Sequence, residues 1–225
     1  MDIFQARILG PTKWLQAGKL DVGYPIHRIP NGVDVQRFEQ ESLLYVYEHL
    51  GVPPDSNLIV TIGNYHSRKG QEFLVQSMQE ILESDSKARL VIIWGGQEPL
   101  KHVVEELNLQ DAVILARQIP VPVIRSNSSD VNDWLAAILQ ESKVYVSASR
   151  NEEAGGLSLA LLEAMAVSLP VVATDISGNR DIVYNGSNGF LVPQIDSSAL
   201  VEAALKLLLN KELCSIQSQN AKAVA

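Results

Sequence analysis

The chain has 225 residues, of which 46% are hydrophobic and 20% charged, enough for one sizeable globular domain with a real core. A formal net charge of -8 repels phosphate backbones and argues against general nucleic-acid binding, although it leaves room for a local basic pocket. The single cysteine, Cys214, excludes an internal disulfide and any cysteine-based zinc site.

The first residues lack the basic-then-apolar pattern of a secretory leader, and the apolar runs are strand-sized, too short to cross a bilayer. The expected location is cytoplasmic, at most peripheral to a membrane. Residues 1–38, which include Pro30-Asn31-Gly32-Val33-Asp34, read as a connector, followed by a helix near residues 41–50. From residue 58 onward, β-branched runs alternate with amphipathic stretches. Leu58-Ile59-Val60-Thr61-Ile62 predicts a strand, and Leu74, Val75, Met78, Ile81 and Leu82 lie on one face of the helix that follows. The alternation continues with a strand over residues 89–94, a helix over 100–107, a strand over 112–115 and a helix over 131–139. Next come a strand over 144–146, a helix over 157–166, a strand over 170–173 and a short helix after Gly178. A strand over 189–192 and a helix over 198–209 complete the series. The chain is expected to run out beyond that helix without further structure.

Continuous apolar strands are those of a parallel sheet buried on both faces, and strand–helix alternation supplies the covering helices. The fold class is therefore α/β, a Rossmann-like parallel sheet with helices on both faces, filling residues 39–225. Such sheets bind ligands where strand ends pass into helices.

Three of those loops carry candidate chemistry. In the first, Gly63-Asn64-Tyr65-His66-Ser67-Arg68-Lys69-Gly70, a glycine permits a sharp turn and Lys69 stands at the mouth of a helix. That combination suits a phosphate; the competing reading is a solvated Arg-Lys pair. In the second, Glu152-Glu153-Ala154-Gly155-Gly156-Leu157-Ser158, two acids precede a glycine pair that lets a ligand approach backbone amides. Glu163 follows within the apolar run Leu161 to Ala166, where a carboxylate is costly unless partnered and is suited to accepting from sugar hydroxyls. The third loop runs from Thr174-Asp175 to Asp181-Ile182-Val183, and Asn185-Gly186-Ser187-Asn188-Gly189 after it reads as a turn without function. The four histidines show no metal-ligand spacing, and His66 is expected to serve the surface of its loop.

Taken together, these segments resemble the C-terminal, donor-binding domain of the family 4 (group 1) retaining glycosyltransferases, which have the two-domain GT-B fold. The resemblance rests on Pro30-Asn31-Gly32-Val33-Asp34 with Phe38, on residues 63–70, on residues 149–166 with Leu169-Pro170-Val171-Val172-Ala173-Thr174, and on Gly178, Asp181-Ile182-Val183 and Gly189-Phe190-Leu191-Val192-Pro193. It implies that Lys69 holds the diphosphate of a nucleotide-sugar donor and stabilises it as leaving group, with Gly63, Asn64 and Arg68 beside it. It implies that Glu163 clamps the ribose, that Glu152 or Glu153 faces the donor sugar, and that Gly155, Gly156 and Leu157 present amides. The nucleotide sugar is a substrate, and neither a cofactor nor a metal is implied. The family's phosphate-loop arginine is replaced by Asn64, and the family's spacing back from Glu163 lands on Gly155, so the loop must bulge if Glu153 or Glu152 serves. The acceptor-binding domain of the family is missing, and its final helix is expected to be cut short. The expected function is donor binding for hexosyl transfer in glycan biosynthesis, in concert with a separate acceptor-domain chain. The alternative is a non-catalytic nucleotide-sugar-binding module or inactive fragment.

Overall fold

The computed structural model describes residues 31–40, 42, 44–93, 95–96, 98–116, 119, 133–150 and 158–225. Their elements, in chain order, are α1 (Val35–Glu39), α2 (Val46–Leu50), β1 (Asn57–Ile62), α3 (Gln71–Ser84), β2 (Ala88–Ile93), α4 (Glu98–Glu106), β3 (Val113–Ala116) and α5 (Trp134–Glu141). They continue with β4 (Val144–Ser147), α6 (Leu159–Ala166), β5 (Val171–Thr174), α7 (Ser177–Arg180), β6 (Gly189–Val192), α8 (Ser197–Leu209) and α9 (Lys211–Lys222).

The six strands form one sheet in the order β3-β2-β1-β4-β5-β6, every pairing parallel. Their alternate residues feed two separate cores, as the two-residue period of a strand requires. Leu58, Val60, Val91, Ile93, Tyr145 and Val171 meet α1, α5 and α6 on one face. Ile59, Leu90, Ile92, Val144, Val146 and Val172 meet α3, α4 and α8 on the other. Removing each aliphatic side chain from water contributes about 1.5–3 kcal/mol, which explains why no polar residue interrupts the middle of β2 or β5.

The predicted strands and longer helices are present with small shifts of boundary. Local capping explains several of them. Asp133 accepts a hydrogen bond from the Ala136 amide and so starts α5, and Ser158 does the same for α6 by accepting from Leu161. The predicted helix near residues 41–50 is reduced to the five residues of α2. Leu44 donates its amide to the Ser42 hydroxyl at 3.2 Å, a local bond that competes with helix formation, and Gly51 ends the turn in a left-handed conformation. The short predicted helix after Gly178 instead contains it, within Ser177–Arg180. Residue 38, the expected end of the connector, lies inside α1, with Phe38 buried in the core.

The C-terminus corrects the expectation of an unstructured end. Residues 211–222 form α9, capped by Asn210 and packed against α6 and α8. Its inward stripe is Leu213, Gln217 and Ala221 at four-residue spacing, and the fully buried Gln217 breaks the apolar pattern by which such a helix is read. The turn over residues 185–189 is built as its chemistry suggests: the buried Asn188 side chain accepts from the Tyr184 amide at 2.7 Å and donates to the Ile182 carbonyl at 2.8 Å. Among the described residues no helix is long and apolar enough to cross a membrane.

Candidate functional site

Strand order reverses between β1 and β4: from β1 the chain proceeds outward to β2 and β3, and from β4 to β5 and β6. The carboxyl ends of these two strands therefore open a crevice of the kind that receives ligands in doubly wound sheets.

On the β1 side, residues 63–70 are braced by backbone bonds and by the side chains of Gln71, His66 and Asn64. The Gly63 amide donates to Ile93 and the Tyr65 amide to Gly95, tying the loop to the end of β2. Gln71, nearly fully buried, donates through Nε2 to the Gly63 carbonyl at 2.7 Å and accepts the His66 amide on Oε1 at 3.3 Å. Residues Ser67–Lys69 make a single 3₁₀ turn in which the His66 Nδ1 accepts from the Arg68 amide at 3.2 Å. His66 thus serves the loop. Tyr65 donates its hydroxyl to Glu72, and that bond pushes the phenol's pKa up.

Gly70 closes the turn at φ 67° and opens α3; a Cβ there would stand 2.0 Å from the Ala148 carbonyl oxygen. Next to it the Arg150 amide donates to the Arg68 carbonyl at 2.7 Å. The β1 loop is thereby locked to the chain leaving β4. Lys69 and Arg68 are exposed at this junction, and neither side chain has a partner among the described residues. Among the described residues no side chain caps the 14-residue α3, whose N-cap is Gly70, directly after Lys69. Asn64 is engaged otherwise: its Oδ1 accepts the Gly95 amide at 3.2 Å and links two loops.

On the β4 side, Glu152, Glu153, Gly155, Gly156 and Leu157 lie outside the described residues. Glu163 is described, half-buried on α6 against the other core. Burial holds its carboxyl above the ordinary carboxylate range; the nearby Arg37 guanidinium opposes that shift, and the Asp133 carboxylate adds to it. Arg37 is itself forked onto Asp133, with Nε 2.5 Å from Oδ2 and Nη2 3.2 Å from Oδ1, while its guanidinium lies 4.7 Å over the Phe38 ring. The hydrogen bond to Asp133 raises the pKa of Arg37. Tyr145, buried in β4 on the same side, has its phenol pushed upward by burial and by the Glu163 charge. Lys69 thus precedes α3, which packs on one face of the sheet, and Glu163 lies on α6, which packs on the other.

The third predicted loop closes on itself, with Arg180 Nε donating to Asp175 Oδ1 at 2.5 Å. A cleft of about 390 Å³ lies elsewhere, by the carboxyl end of α6, and is lined in part by Phe38, Gln140, Ser168 and the Glu39–Lys222 ion pair. Sequence reading missed Gln71, Arg37 and Asp133. Gln71 carried one faint signal, a polar residue opening a helix straight after a glycine.

Residues 48–224 match the family described as glycosyl transferases group 1. The phosphatidyl-myo-inositol mannosyltransferase of Mycobacterium leprae is 31% identical over 186 residues, covering 82% of this chain and 45% of that protein. Among solved structures, Anabaena HepE in complex with UDP-glucose superposes with a TM-score of 0.75 at 20% identity, over 95% of this chain and 55% of that one. The C-terminal domain of the group 1 glycosyl transferase LpcC from Francisella tularensis superposes at 0.68 with 21% identity, over 86% of this chain and 96% of that one. The chain spans about half the length of the curated relatives it matches, and at these identities the structural likeness speaks for the fold alone. With a matching family profile over most of its length and a sheet in the same arrangement, this chain belongs to the glycosyl transferases of group 1.

Proposed function

We propose that residues 39–225 form the donor-binding domain of a retaining glycosyltransferase, taking a nucleotide-diphosphate sugar and acting with a separate acceptor-binding domain, residues 1–38 serving as the connector. The observation that carries this reading is the junction at residues 68–70. There Lys69, without a partner among the described residues, directly precedes α3, whose N-cap is Gly70, on a loop that hydrogen bonds already hold in place. A diphosphate suits that junction because a helix N-terminus and an ammonium group both favour negative charge, on a loop already held by hydrogen bonds.

In this scheme the glycosyl–phosphate bond breaks with its electron pair departing on the diphosphate, and Lys69, with Arg68 and the amides near Gly63, holds the developing charge. Asn64 braces that loop without adding charge. The acceptor oxygen, positioned by the other domain, bonds to the anomeric carbon and loses its proton. Glu163 accepts from the ribose hydroxyls, Glu152 or Glu153 faces the sugar, and the amides of Gly155, Gly156 and Leu157 line the approach. HepE, whose fold this chain shares, was solved with UDP-glucose, which supports a nucleotide-sugar donor for this fold.

A second reading, a binding module without transfer, draws on Asn64, which stands where the family has an arginine and is occupied by Gly95. Calorimetric titration with UDP, GDP and ADP tests the proposal. Micromolar binding of one nucleotide, weakened roughly thirty-fold in K69A and weakened also in E163A, is the expected result. A folded chain that binds none of the three overturns it. Binding of the nucleotide sugar with no transfer after the acceptor domain is supplied selects the second reading.

A further inference from the structure

A third cation at the crevice is left over by the fold, and its reading rests on the donor site proposed above. Arg150 follows β4, across the crevice from the loop that carries Lys69. The two segments run antiparallel where they touch: Gly70 lies against Ala148, and the Arg150 amide donates to the Arg68 carbonyl at 2.7 Å. A backbone bond of that kind sets the two α-carbons about 5–6 Å apart. This lock uses only the Arg150 amide, which any residue except proline supplies. The guanidinium has no part in it. Arg150 is exposed, and its side chain makes no hydrogen bond or ion pair among the described residues. Arg68 and Lys69 stand in the same condition.

Three exposed cations thus gather on two bonded segments of a chain whose formal net charge is -8. Like charges directly opposite one another on paired segments are destabilising, and a shared anion removes that cost. Two carboxylates carried at this edge are engaged elsewhere: Glu72 accepts from the Tyr65 hydroxyl, and Asp175 is paired with Arg180. Asn64, on the same loop as Lys69, adds no charge and is held by the Gly95 amide.

We infer that Arg150 is a further donor-binding residue, its guanidinium holding the diphosphate from the β4 side of the crevice while Arg68 and Lys69 hold it from the β1 side. An arginine suits this place, because its planar fork pairs with two phosphate oxygens at once where a lysine offers a point charge. A diphosphate held from both sides bridges the point at which strand order reverses, where doubly wound sheets receive their ligands. The backbone bond between Arg68 and Arg150 sets the spacing of the two sides before any ligand arrives.

Calorimetric titration of the full chain with inorganic pyrophosphate, and with UDP, GDP and ADP, tests this. R150Q is expected to weaken pyrophosphate and the preferred nucleoside diphosphate alike by about tenfold, and R150K to recover part of the loss. Because the side chain supports nothing in the fold, the Tm of R150Q should match that of wild type. The titrations are repeated in about 0.5 M potassium chloride, where charges more than roughly 4–5 Å apart are screened from one another. A direct contact keeps most of the tenfold ratio there, whereas a charge acting from a distance loses it.

Wild-type affinity in R150Q at low salt, or a deficit that vanishes at high salt, overturns the inference. A deficit accompanied by a lower Tm overturns it too, since Arg150 then belongs to the frame. K69A separates this inference from the reading beneath it. If K69A weakens binding and R150Q does not, the diphosphate site stands without Arg150. If the folded wild-type chain binds neither pyrophosphate nor any of the three nucleotides, the donor-site reading itself fails and this inference goes with it.

Discussion

Two regions flank the crevice and handle charge in opposite ways. The β1 loop presents exposed cations on a frame of backbone hydrogen bonds, held against the chain leaving β4 by one amide and one glycine. The α6 side carries a single carboxylate half-buried in the core, governed by distant side chains. The first region gains its readiness from rigidity and leaves its charge free for a ligand. The second gains its state from a balance of burial against a neighbouring cation. Substitutions should therefore separate binding from stability in the first region and leave them coupled in the second.

The largest effect is expected at Gly70. A methyl group there meets the Ala148 carbonyl oxygen at 2.0 Å in a left-handed backbone, so G70A should cost about 3 kcal/mol in chemical denaturation and abolish nucleotide binding with it. A G70A protein of wild-type stability would show that the two loops are not locked. Next comes K69A, whose side chain is exposed and makes no hydrogen bond or ion pair among the described residues. Loss of a charge-assisted contact of about 2 kcal/mol predicts roughly thirty-fold weaker diphosphate binding with an unchanged Tm. A drop in Tm would mean that Lys69 belongs to the frame and not to the ligand.

Smaller effects sharpen the other side. Gln217 is fully buried on α9 with both its amide oxygen and its amide nitrogen unpaired, so Q217L should stabilise the domain by about 1 kcal/mol, read as a higher denaturant midpoint. Destabilisation by Q217L would reveal a hidden partner for that amide. The smallest effect concerns Glu163 and pH. Because its folded pKa lies above the ordinary 4.5, the folded state holds its proton more tightly than the unfolded state does. The stability that this carboxyl contributes is fully present below its unfolded value and is lost as pH rises through its folded value. E163Q should therefore gain on wild type as pH rises from about 4.5, and the two should converge in acid. A gap independent of pH would show that the carboxyl is solvated.

What could be read from the chain alone followed from double burial. Residues 58–60, 90–93 and 171–173 are apolar without alternation because helices cover both sides of them, and that same pattern dictates a parallel sheet with loops at one edge. The glycine–lysine loop at residues 63–70 was legible because sharp turns and anion sites each demand particular residue types locally. Helix α9 was not legible, since Gln217 stands where its stripe should be apolar. Nor was the support beneath Glu163: the sequence shows an isolated acid in an apolar helix and says nothing of its partner.

By itself, then, the sequence determined the class of sheet and the order of its elements, both of which depend on short-range periodicity and turn chemistry. Only the tertiary structure decided that Arg37 meets Asp133 across 96 positions, that Gly70 abuts Ala148, and that α3 and α6 pack on opposite faces of the sheet. The physical reason is that charge pairing and close packing depend on distance in space. Strand order sets that distance, and no local pattern of residues encodes it.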